Sequence, residues 1–469
     1  MYFVTIRNTV YTFVIQVSCG YLSGKIIGDE YGSGEESKME KIAQNAKTAS
    51  YKLASLSEKA KNDALLKIAE YIEKNADIIL EENKKDLAEA EKLVNEGKLT
   101  KSLFNRLKLD KEKINVIIQG VKDVAGLEDP VNKTLWAMEM DDGLELHRIS
   151  CPIGVIGVIF ESRPDVVPQI ASLAVKSANA VILKGGIEAY NSNEVFVKVI
   201  NDALKEIPGF PENSINLVKT REDIQQLLKM DEYVDLIIPR GSNNLVKYIQ
   251  ENTKIPVLGH TEGICHIYTD EFADSGKAVK ISIDSKIQYP AACNAVETLL
   301  VHGNIAERLL PELVSALRKE EVVVKGDETV RKIVPDVETA TEEDWATEYS
   351  DKILSVKVVE NITEAINHIN KYGSGHTDCI ITENTQNRDL FMNLVDSAGV
   401  YCNASTRFAD GFRYGFGAEV GISTNKTHAR GPVGLEGLTI YKYKLFGDGQ
   451  IVAEYSGENA RPYRHKRIK

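Results

Sequence analysis

Cysteine is scarce in this chain: there are six in 469 residues, with no C-x-x-C pair and none near a histidine at metal-ligand spacing. This scarcity argues against a disulfide framework and against a structural zinc site. Unpaired thiols in so long a chain are typical of a reducing compartment, so we expect a cytoplasmic protein. Long apolar runs are also missing. The short run after Arg7 falls far below the roughly 20 apolar residues of a membrane-spanning helix, and we expect no membrane association.

Positive charge is in deficit, because 57 Lys and Arg stand against 69 Asp and Glu, a net charge of −12. Nucleic acids and anionic membranes both require a basic face, so we expect neither as a partner. The basic cluster RPYRHKRIK closes the chain, and we interpret residues 456–469 as a solvated basic tail. Residues 1–38 lack a clear pattern, and we interpret them as a disordered extension or a start codon placed too early.

Periodic patterns divide the rest of the chain. Residues 39–125 are helical in pattern, and Ser55 with Glu58 predicts a capping box. An alternating stretch around Asp142-Gly143 predicts a hairpin. Runs such as IGVIGVIF, AVILKGG and VDLIIPRG then alternate with amphipathic segments, which is typical of a parallel sheet covered on both faces, and a second such series follows Cys293. The alternating GLTIYKYKLFG is expected to join the hairpin in a small sheet, whose edges favour oligomerisation.

The usual G-x-G-x-x-G dinucleotide fingerprint is missing after every apparent strand. Two other strand ends are candidates for holding phosphate. Gly241 and Ser242 follow a buried strand and open a helix, whose free N–H groups and dipole favour an anion. Lys184 ends another strand before Gly185, within reach of a ribose or a phosphate. The alternative for each motif taken alone is a strand end exposed to water.

Cys293 lies among small apolar residues in QYPAACNAVETLLVH (288–302), a setting typical of an inert packed thiol. The blocks around it change that interpretation. VIFESRPDV (158–166), ILKGGIEA (182–189), LIIPRGSNNL (236–245), IPVLGHTEGICHIYTD (255–270), YGSGHTDCIITEN (372–384) and a long block from Asn403 occur in order. Over about residues 39–451 the chain resembles the gamma-glutamyl phosphate reductases, a family of the aldehyde dehydrogenase superfamily.

The resemblance implies an α/β fold of two Rossmann-like parallel-sheet domains with a small β oligomerisation arm. It places an NADP-binding domain at 39–129 and 150–285, a catalytic domain at 286–425, and the arm at 130–149 and 426–455. It implies that Cys293 attacks L-glutamyl 5-phosphate, expels phosphate, and forms a thioester that NADPH reduces to glutamate 5-semialdehyde, the second step of proline biosynthesis from glutamate. It further implies a homo-oligomer and a possible association with glutamate 5-kinase.

Hydrolytic aldehyde dehydrogenases carry a water-activating glutamate in the segment matching PVLGHTEG. Here Val257-Leu258-Gly259-His260 lacks a carboxylate, which suits a reductase that must protect its thioester from water. Glu262 is an alternative base. For the oxyanion, the backbone N–H of Cys293 and either Ser162 or Arg163 are candidates, and Arg163 is also a candidate for gripping the leaving phosphate. The alternative for either side chain is a structural role in the turn before Pro164.

The remaining expected site residues follow from the resemblance. The substrate has an α-carboxylate, which suits an arginine clamp, and an α-ammonium, which suits a carboxylate. The expected substrate residues are Asn294, His376, Asn403, Ser405, Thr406, Arg407 and Asp410, although S-T-x-x-A-D-G is also ordinary turn chemistry. The expected cofactor residues are Lys184, Gly185, Glu188, Gly241, Ser242 and Glu348. Cys151, Cys265, Cys379 and Cys402 are expected to pack in the interior.

Two rival interpretations remain open from the sequence. One is another reductase or acylating dehydrogenase of the superfamily, with a different acyl donor. The other is a binding or regulatory module that keeps only the fold. The intact Cys293 and the two candidate cofactor blocks argue against the second.

Overall fold

The computed structural model describes residues 2–6, 9–13, 37–260 and 262–469. Strands β1 (Tyr2–Ile6) and β2 (Thr9–Phe13) form an antiparallel hairpin, and this N-terminal segment is a unit separate from residues 38–469. The rest of residues 1–36 lies outside the described part, so the interpretation of residues 1–38 as a disordered extension or a misplaced start stays a prediction.

Five helices begin the main unit: α1 (Lys38–Leu53), α2 (Glu58–Lys74), α3 (Ala76–Asn95), α4 (Lys101–Leu107) and α5 (Lys111–Gly126). The apolar face of α2 is buried, with Leu65 and Ile68 fully inaccessible. The predicted cap is wrong by two residues. Ser57 caps α2 by accepting the N–H of Ala60, whereas the Ser55 hydroxyl donates to a carbonyl at the end of α1.

The first parallel sheet has the order β7-β6-β5-β8. Its strands and helices are β5 (Val155–Phe160), α6 (Val166–Lys176), β6 (Ala180–Lys184), α7 (Tyr190–Lys205), β7 (Ile215–Val218), α8 (Arg221–Leu227), β8 (Leu236–Arg240) and α9 (Asn243–Asn252). Helices α2, α5, α6 and α7 pack on one face and α1 on the other. The sheet is covered on both faces, as the apolar strand pattern predicts.

The second parallel sheet has seven strands in the order β12-β11-β13-β10-β9-β14-β15. In chain order its elements are β9 (Cys265–Thr269), α10 (Ser275–Ile287), β10 (Val296–His302), α11 (Gly303–Lys319), β11 (Val323–Gly326), α12 (Glu328–Ile333), β12 (Glu338–Thr339), β13 (Ile353–Val359), α13 (Ile362–Tyr372), β14 (Thr377–Ile381), α14 (Thr385–Leu394) and β15 (Gly399–Cys402). Helices α10–α12 cover one face, and α13 and α14 the other.

One domain boundary differs from the sequence-based prediction. Strand β9 was expected in the first domain, 39–129 and 150–285, but it pairs with β10 and β14 in the second sheet. A buried strand looks the same in sequence whichever parallel sheet it joins. The connection between the two sheets therefore precedes Cys265 and contains the segment around His260.

A third sheet combines strands from distant parts of the chain, as predicted. Strands β3 (Thr134–Asp141) and β4 (Leu144–Pro152) form the hairpin, with Gly143 at φ +65° in its turn. The distant β18 (Thr439–Phe446) pairs antiparallel with β4 along eight residues. The basic tail returns to this sheet, because β19 (Lys466–Arg467) pairs with β3. Short strands β16 (Ile422–Ser423) and β17 (Gly431–Pro432) pair with each other. In the described part of the chain, no helix is long and apolar enough to cross a membrane.

Candidate active site

The Cys293 loop joins α10 to β10, and neighbouring backbone holds it in place. Gly263 lies so close that a Cβ there would stand 2.1 Å from the Cys293 carbonyl oxygen. The buried Cys265 thiol donates to the same oxygen at 3.4 Å. Cys293 itself is half-buried and free of any disulfide. The loop is thus fixed through its backbone, and the Cys293 side chain remains available.

Two histidines approach the Cys293 thiol. One ring nitrogen of His260, one of His376 and the Cys293 sulfur lie within 4.8 Å of one another. The imidazole rings of the two histidines contact edge to face, with centroids 5.2 Å apart. His376 was predicted at the site, whereas His260 was quoted only for the carboxylate missing from its segment. The close approach of Gly263 to Cys293 carries His260 into the site, a contact that no local pattern predicts.

Two guanidinium groups add positive charge near the thiol. Desolvation, followed by the repulsion of Arg163, lowers the pKa of Arg240, and the charge of a Cys293 thiolate opposes this shift. Desolvation and the neighbouring Arg413 likewise lower the pKa of Arg407, again opposed by Cys293. Arg407 is held by the Gln288 side chain at 2.9 Å. Arg240 was not predicted as a site residue, although it ends a strand directly before the predicted Gly241.

Some of the other predicted substrate residues join the Cys293 loop to the segment that carries Arg407, and others bond to different parts of the backbone. Asn294 is buried and Thr406 donates to its carbonyl at 2.7 Å, so these two residues join the Cys293 loop to the segment that carries Arg407. The Ser285 hydroxyl, in turn, donates to Ser405 at 3.1 Å. Asn403, at φ +53°, instead bonds the Thr382 backbone in both directions. Asp410 accepts the backbone N–H of Arg413 at 3.0 Å.

The predicted oxyanion residues are engaged elsewhere. Ser162, in a left-handed conformation at φ +43°, donates both its N–H and its hydroxyl to the Glu188 carboxylate. Arg163 is partly exposed and pairs with Asp165 at 3.0 Å. Neither side chain is directed by its hydrogen bonds to the Cys293 loop, and their catalytic roles stay predictions.

The carboxyl ends of β5, β6 and β8 form a cradle beside the first sheet. Lys184 is about nine-tenths buried there, and burial lowers its pKa. A Cβ on Gly185 would stand 2.2 Å from the Asn193 amide nitrogen, so the backbone passes very close to α7. The buried Asn193 amide has no hydrogen-bond partner among the described residues. These features leave polar groups unsatisfied at the edge where α/β sheets bind ligands.

A carboxylate of the protein itself, that of Glu161, already occupies the N-terminus of α9. The Glu161 carboxylate accepts the N–H of Ser242 at 2.8 Å and blocks any side chain at Gly241. A cofactor phosphate at the predicted Gly241–Ser242 site must therefore displace Glu161. The sequence does not show this, since Glu161 lies 81 positions earlier.

Glu348 lies half-buried in the loop before β13. Its charge acts on Glu297, a fully buried residue that pairs with the fully buried Lys286 at 2.6 Å. Glu297 also accepts the N–H of Ser350 at 3.4 Å. This buried pair therefore supports the loop that carries Glu348.

Four cysteines lie as predicted among packed residues. Cys265 and Cys379 are fully buried, and Cys151 and Cys402 are partly so. Burial raises the pKa of all four thiols. None of these four is a better nucleophile at neutral pH than an ordinary cysteine.

Comparison with known proteins agrees with this fold and identifies the family. Residues 15–335 match the model of the aldehyde dehydrogenase family. The chain is 60% identical over 428 residues to the gamma-glutamyl phosphate reductase of Brachyspira hyodysenteriae, covering 91% of this chain and 99% of the relative. It is 55% identical over 435 residues to that of Methanococcoides burtonii, covering 92% and 97%. The crystal structure of the Thermotoga maritima reductase superposes with a TM-score of 0.86 at 44% identity, covering 88% of this chain and 100% of that one.

The family match shows that the chain belongs to the aldehyde dehydrogenase family, and its two parallel sheets agree with that membership. Within that family it is a member of the gamma-glutamyl phosphate reductases. It therefore uses a nicotinamide cofactor, and the cradle fits one. The buried Lys184 and the unpartnered Asn193 amide offer polar groups for a ligand.

Proposed function

We propose that this protein reduces L-glutamyl 5-phosphate to L-glutamate 5-semialdehyde and phosphate with NADPH, the second step of proline biosynthesis from glutamate. One observation carries the proposal beyond the family: the Cys293 sulfur lies within 4.8 Å of a ring nitrogen of His260 and one of His376, and its charge interacts with the guanidinium groups of Arg240 and Arg407. These groups suit a phosphorylated acyl donor and a thiolate nucleophile. The identities of 55% and 60% to named reductases support the same reaction.

In the first step the Cys293 thiolate attacks the acyl carbon of the substrate. The new S–C bond forms as the C–O bond to the phosphate breaks, and inorganic phosphate leaves with the electron pair. Arg240, whose charge interacts with that of Cys293, is our candidate for stabilising the negative charge on the leaving group. The Cys293 N–H is our candidate donor to the oxyanion, with Ser162 or Arg163 as its partner.

The second step reduces the thioester. When bound, the nicotinamide supplies a hydride to the thioester carbon, and the tetrahedral adduct then collapses to release the aldehyde and the Cys293 thiolate. Water must stay out until then. The segment Val257-Leu258-Gly259-His260 has no carboxylate to match the water-activating glutamate of hydrolytic relatives, and Glu262 is exposed. The segment 257–260 therefore lacks the carboxylate base with which hydrolytic relatives cleave the thioester.

The α-substituents of the substrate have matching groups. Arg407 is our candidate for the α-carboxylate. The α-ammonium suits the Asp410 carboxylate and the Asn294 side-chain oxygen, which is buried with no partner among the described residues. His376, Ser405 and Thr406 complete the proposed substrate site, with Asn403 supporting the strand end before it. Lys184, Gly185, Glu188, Gly241, Ser242 and Glu348 are the proposed cofactor residues.

Replacing Arg407 by glutamine is expected to lower kcat/KM for glutamate semialdehyde by about a hundredfold, because a charge-assisted carboxylate contact contributes about 2–3 kcal/mol. The loss should appear mainly in KM. Arg388→Gln is the matched control, since Arg388 is partly exposed and pairs only with its neighbour Asp389 among the described residues. A change below threefold in Arg407→Gln, measured by steady-state kinetics, would remove this residue from the substrate site.

The reverse reaction tests the proposed function, because the acyl phosphate is labile. The protein should sustain NADP reduction with glutamate 5-semialdehyde over many turnovers only when phosphate is present. It should prefer this aldehyde to butanal, which lacks both α-substituents, by at least about a hundredfold. Equal rates with both aldehydes would favour another acyl donor. No reduction with either would favour a silent fold.

The proposed assembly and location rest on separate features. The exposed edge strand β18 carries Ile440, Tyr443 and Leu445 on the surface, which supports a homo-oligomer through the β3–β4–β18 arm. Five free cysteines in the described residues support a reducing, cytoplasmic location. Association with glutamate 5-kinase is proposed because a labile acyl phosphate benefits from direct transfer.

A further inference from the structure

His260, Cys293 and His376 are the one set of three metal-ligating side chains that converges in the described residues. Their ligand atoms lie within 4.8 Å of one another. Zinc holds sulfur at about 2.3 Å and nitrogen at about 2.0 Å, so closing around it requires these atoms to move together by about 1 Å. Gly263 and Cys265 hold the backbone of the Cys293 loop in place. The movement must therefore come from rotation of the side chains.

The hydrogen bonds of the two histidines orient them as metal ligands. His260 Nδ1 lies 2.8 Å from the Ile422 carbonyl, which can only accept, so Nδ1 carries the proton and Nε2 keeps a lone pair. His376 is fully buried, with Nδ1 2.9 Å from the Thr377 hydroxyl. Its Nε2 has no partner in the part of the chain that the structure describes. A carbonyl or hydroxyl on the far nitrogen is the usual support of a metal-bound histidine.

The charges around the set decide which metal fits. Arg240 and Arg407 repel a divalent cation, and no carboxylate is among the three ligands. Hard cations such as Mg²⁺, which depend on charged oxygen ligands, are therefore excluded. A thiolate with two imidazoles selects a softer ion, Zn²⁺ foremost.

We propose that His260, Cys293 and His376 form an inhibitory Zn²⁺ site, with water as the fourth ligand. Binding displaces the thiol proton to solvent, forms the Zn–S bond and withholds the nucleophile. The inhibition rests on the proposed function of Cys293, whereas the metal site itself does not. A chelator restores the enzyme, because no covalent bond to carbon has formed.

Cobalt absorption tests the site without any turnover. Titrating the full-length protein with Co²⁺ should give one equivalent of binding with a sulfur-to-cobalt charge-transfer band, which Zn²⁺ abolishes by displacement. Cys293→Ser should lose that band. His260→Ala and His376→Ala should each weaken Co²⁺ binding by at least tenfold. His147→Ala, on the β3–β4 hairpin, is the control and should bind like the wild type.

The site would be overturned by the absence of a charge-transfer band in the wild type, by a band that survives in Cys293→Ser, or by an unchanged Co²⁺ affinity in His260→Ala. The His376 side chain is buried, so His376→Ala is the variant at risk of misfolding. In that case His260→Ala, at a partly exposed position, still tests the site. For inhibition, Zn²⁺ should stop aldehyde-dependent NADP reduction over the concentration range that displaces Co²⁺, and Mg²⁺ should not. Full activity at saturating Zn²⁺ would refute the inhibitory role. An inactive wild type would instead count against the proposed function and leave the cobalt result decisive for the site.

Discussion

Replacing Cys293 by serine is expected to lower turnover by at least about a thousandfold while leaving the Kd for NADPH within about twofold. A serine hydroxyl is almost wholly protonated at neutral pH, whereas a cysteine thiol ionises enough to attack an acyl carbon. The substitution is nearly isosteric, and the contacts that fix the loop are to the Cys293 backbone. The architecture around it should therefore persist.

Steady-state kinetics and a fluorescence titration with NADPH measure the two parts of this prediction separately. Cys151→Ser is the matched control, because Cys151 is half-buried on β4 and burial raises the pKa of its thiol. It should keep at least half of the wild-type rate. Turnover within tenfold of wild type in Cys293→Ser would contradict the assignment of the nucleophile.

Lys286→Met is expected to destabilise the second domain by about 3–5 kcal/mol, because it leaves the buried Glu297 carboxylate without its partner. Both side chains are fully inaccessible and their charged atoms lie 2.6 Å apart. Burial lowers the pKa of Lys286 and raises the pKa of Glu297 to about 7. The double variant Lys286→Met, Glu297→Leu should recover most of the loss, since an apolar pair replaces the ion pair.

The loss in Lys286→Met should depend on pH. A carboxyl whose folded pKa exceeds its unfolded value stabilises the fold fully below the unfolded pKa, and that stabilisation is lost as pH rises through the folded pKa. Without Lys286, which lowers the pKa of Glu297, the folded value rises above about 7. The variant should therefore be less destabilised at pH 6 than at pH 8.

Urea denaturation midpoints at the two pH values measure this dependence. An exposed pair on α2, Lys59 with Asp63, provides the control, and its Lys59→Met variant should change stability by less than about 1 kcal/mol. A loss below 1 kcal/mol in Lys286→Met, or an equal loss at both pH values, would show that Glu297 is not left as an uncompensated buried charge.

Most of the architecture follows from local patterns in the sequence. Alternation around Asp142-Gly143 predicts the hairpin, and the matching pattern at 439–446 predicts its distant partner. Continuous apolar runs predict strands covered on both faces. Two features were missed for physical reasons. Strand β9 has the pattern of either sheet, and the cap of α2 depends on where α1 ends, which placed it at Ser57 rather than Ser55.

The site is predictable only in part. Cys293 and Arg407 lie in blocks that the family resemblance identifies. His260 enters the site because Gly263 permits close contact between two distant segments, and such a contact leaves no periodic signal. The carboxylates of Glu161 and Glu188 occupy donors that appear free in the sequence. Sequence patterns cannot predict charged groups that come together only in the tertiary fold.

The most direct test of the account is a single-turnover experiment without phosphate. The wild-type protein is mixed with glutamate 5-semialdehyde and NADP, and NADPH absorbance and intact protein mass are followed together. We predict a burst of about one NADPH per active site, an acyl adduct on Cys293, and renewed turnover when phosphate is added, because residues 257–260 lack the carboxylate with which hydrolytic relatives cleave the thioester. Continuous NADPH formation in the absence of phosphate would contradict it, since water would then be the acyl acceptor.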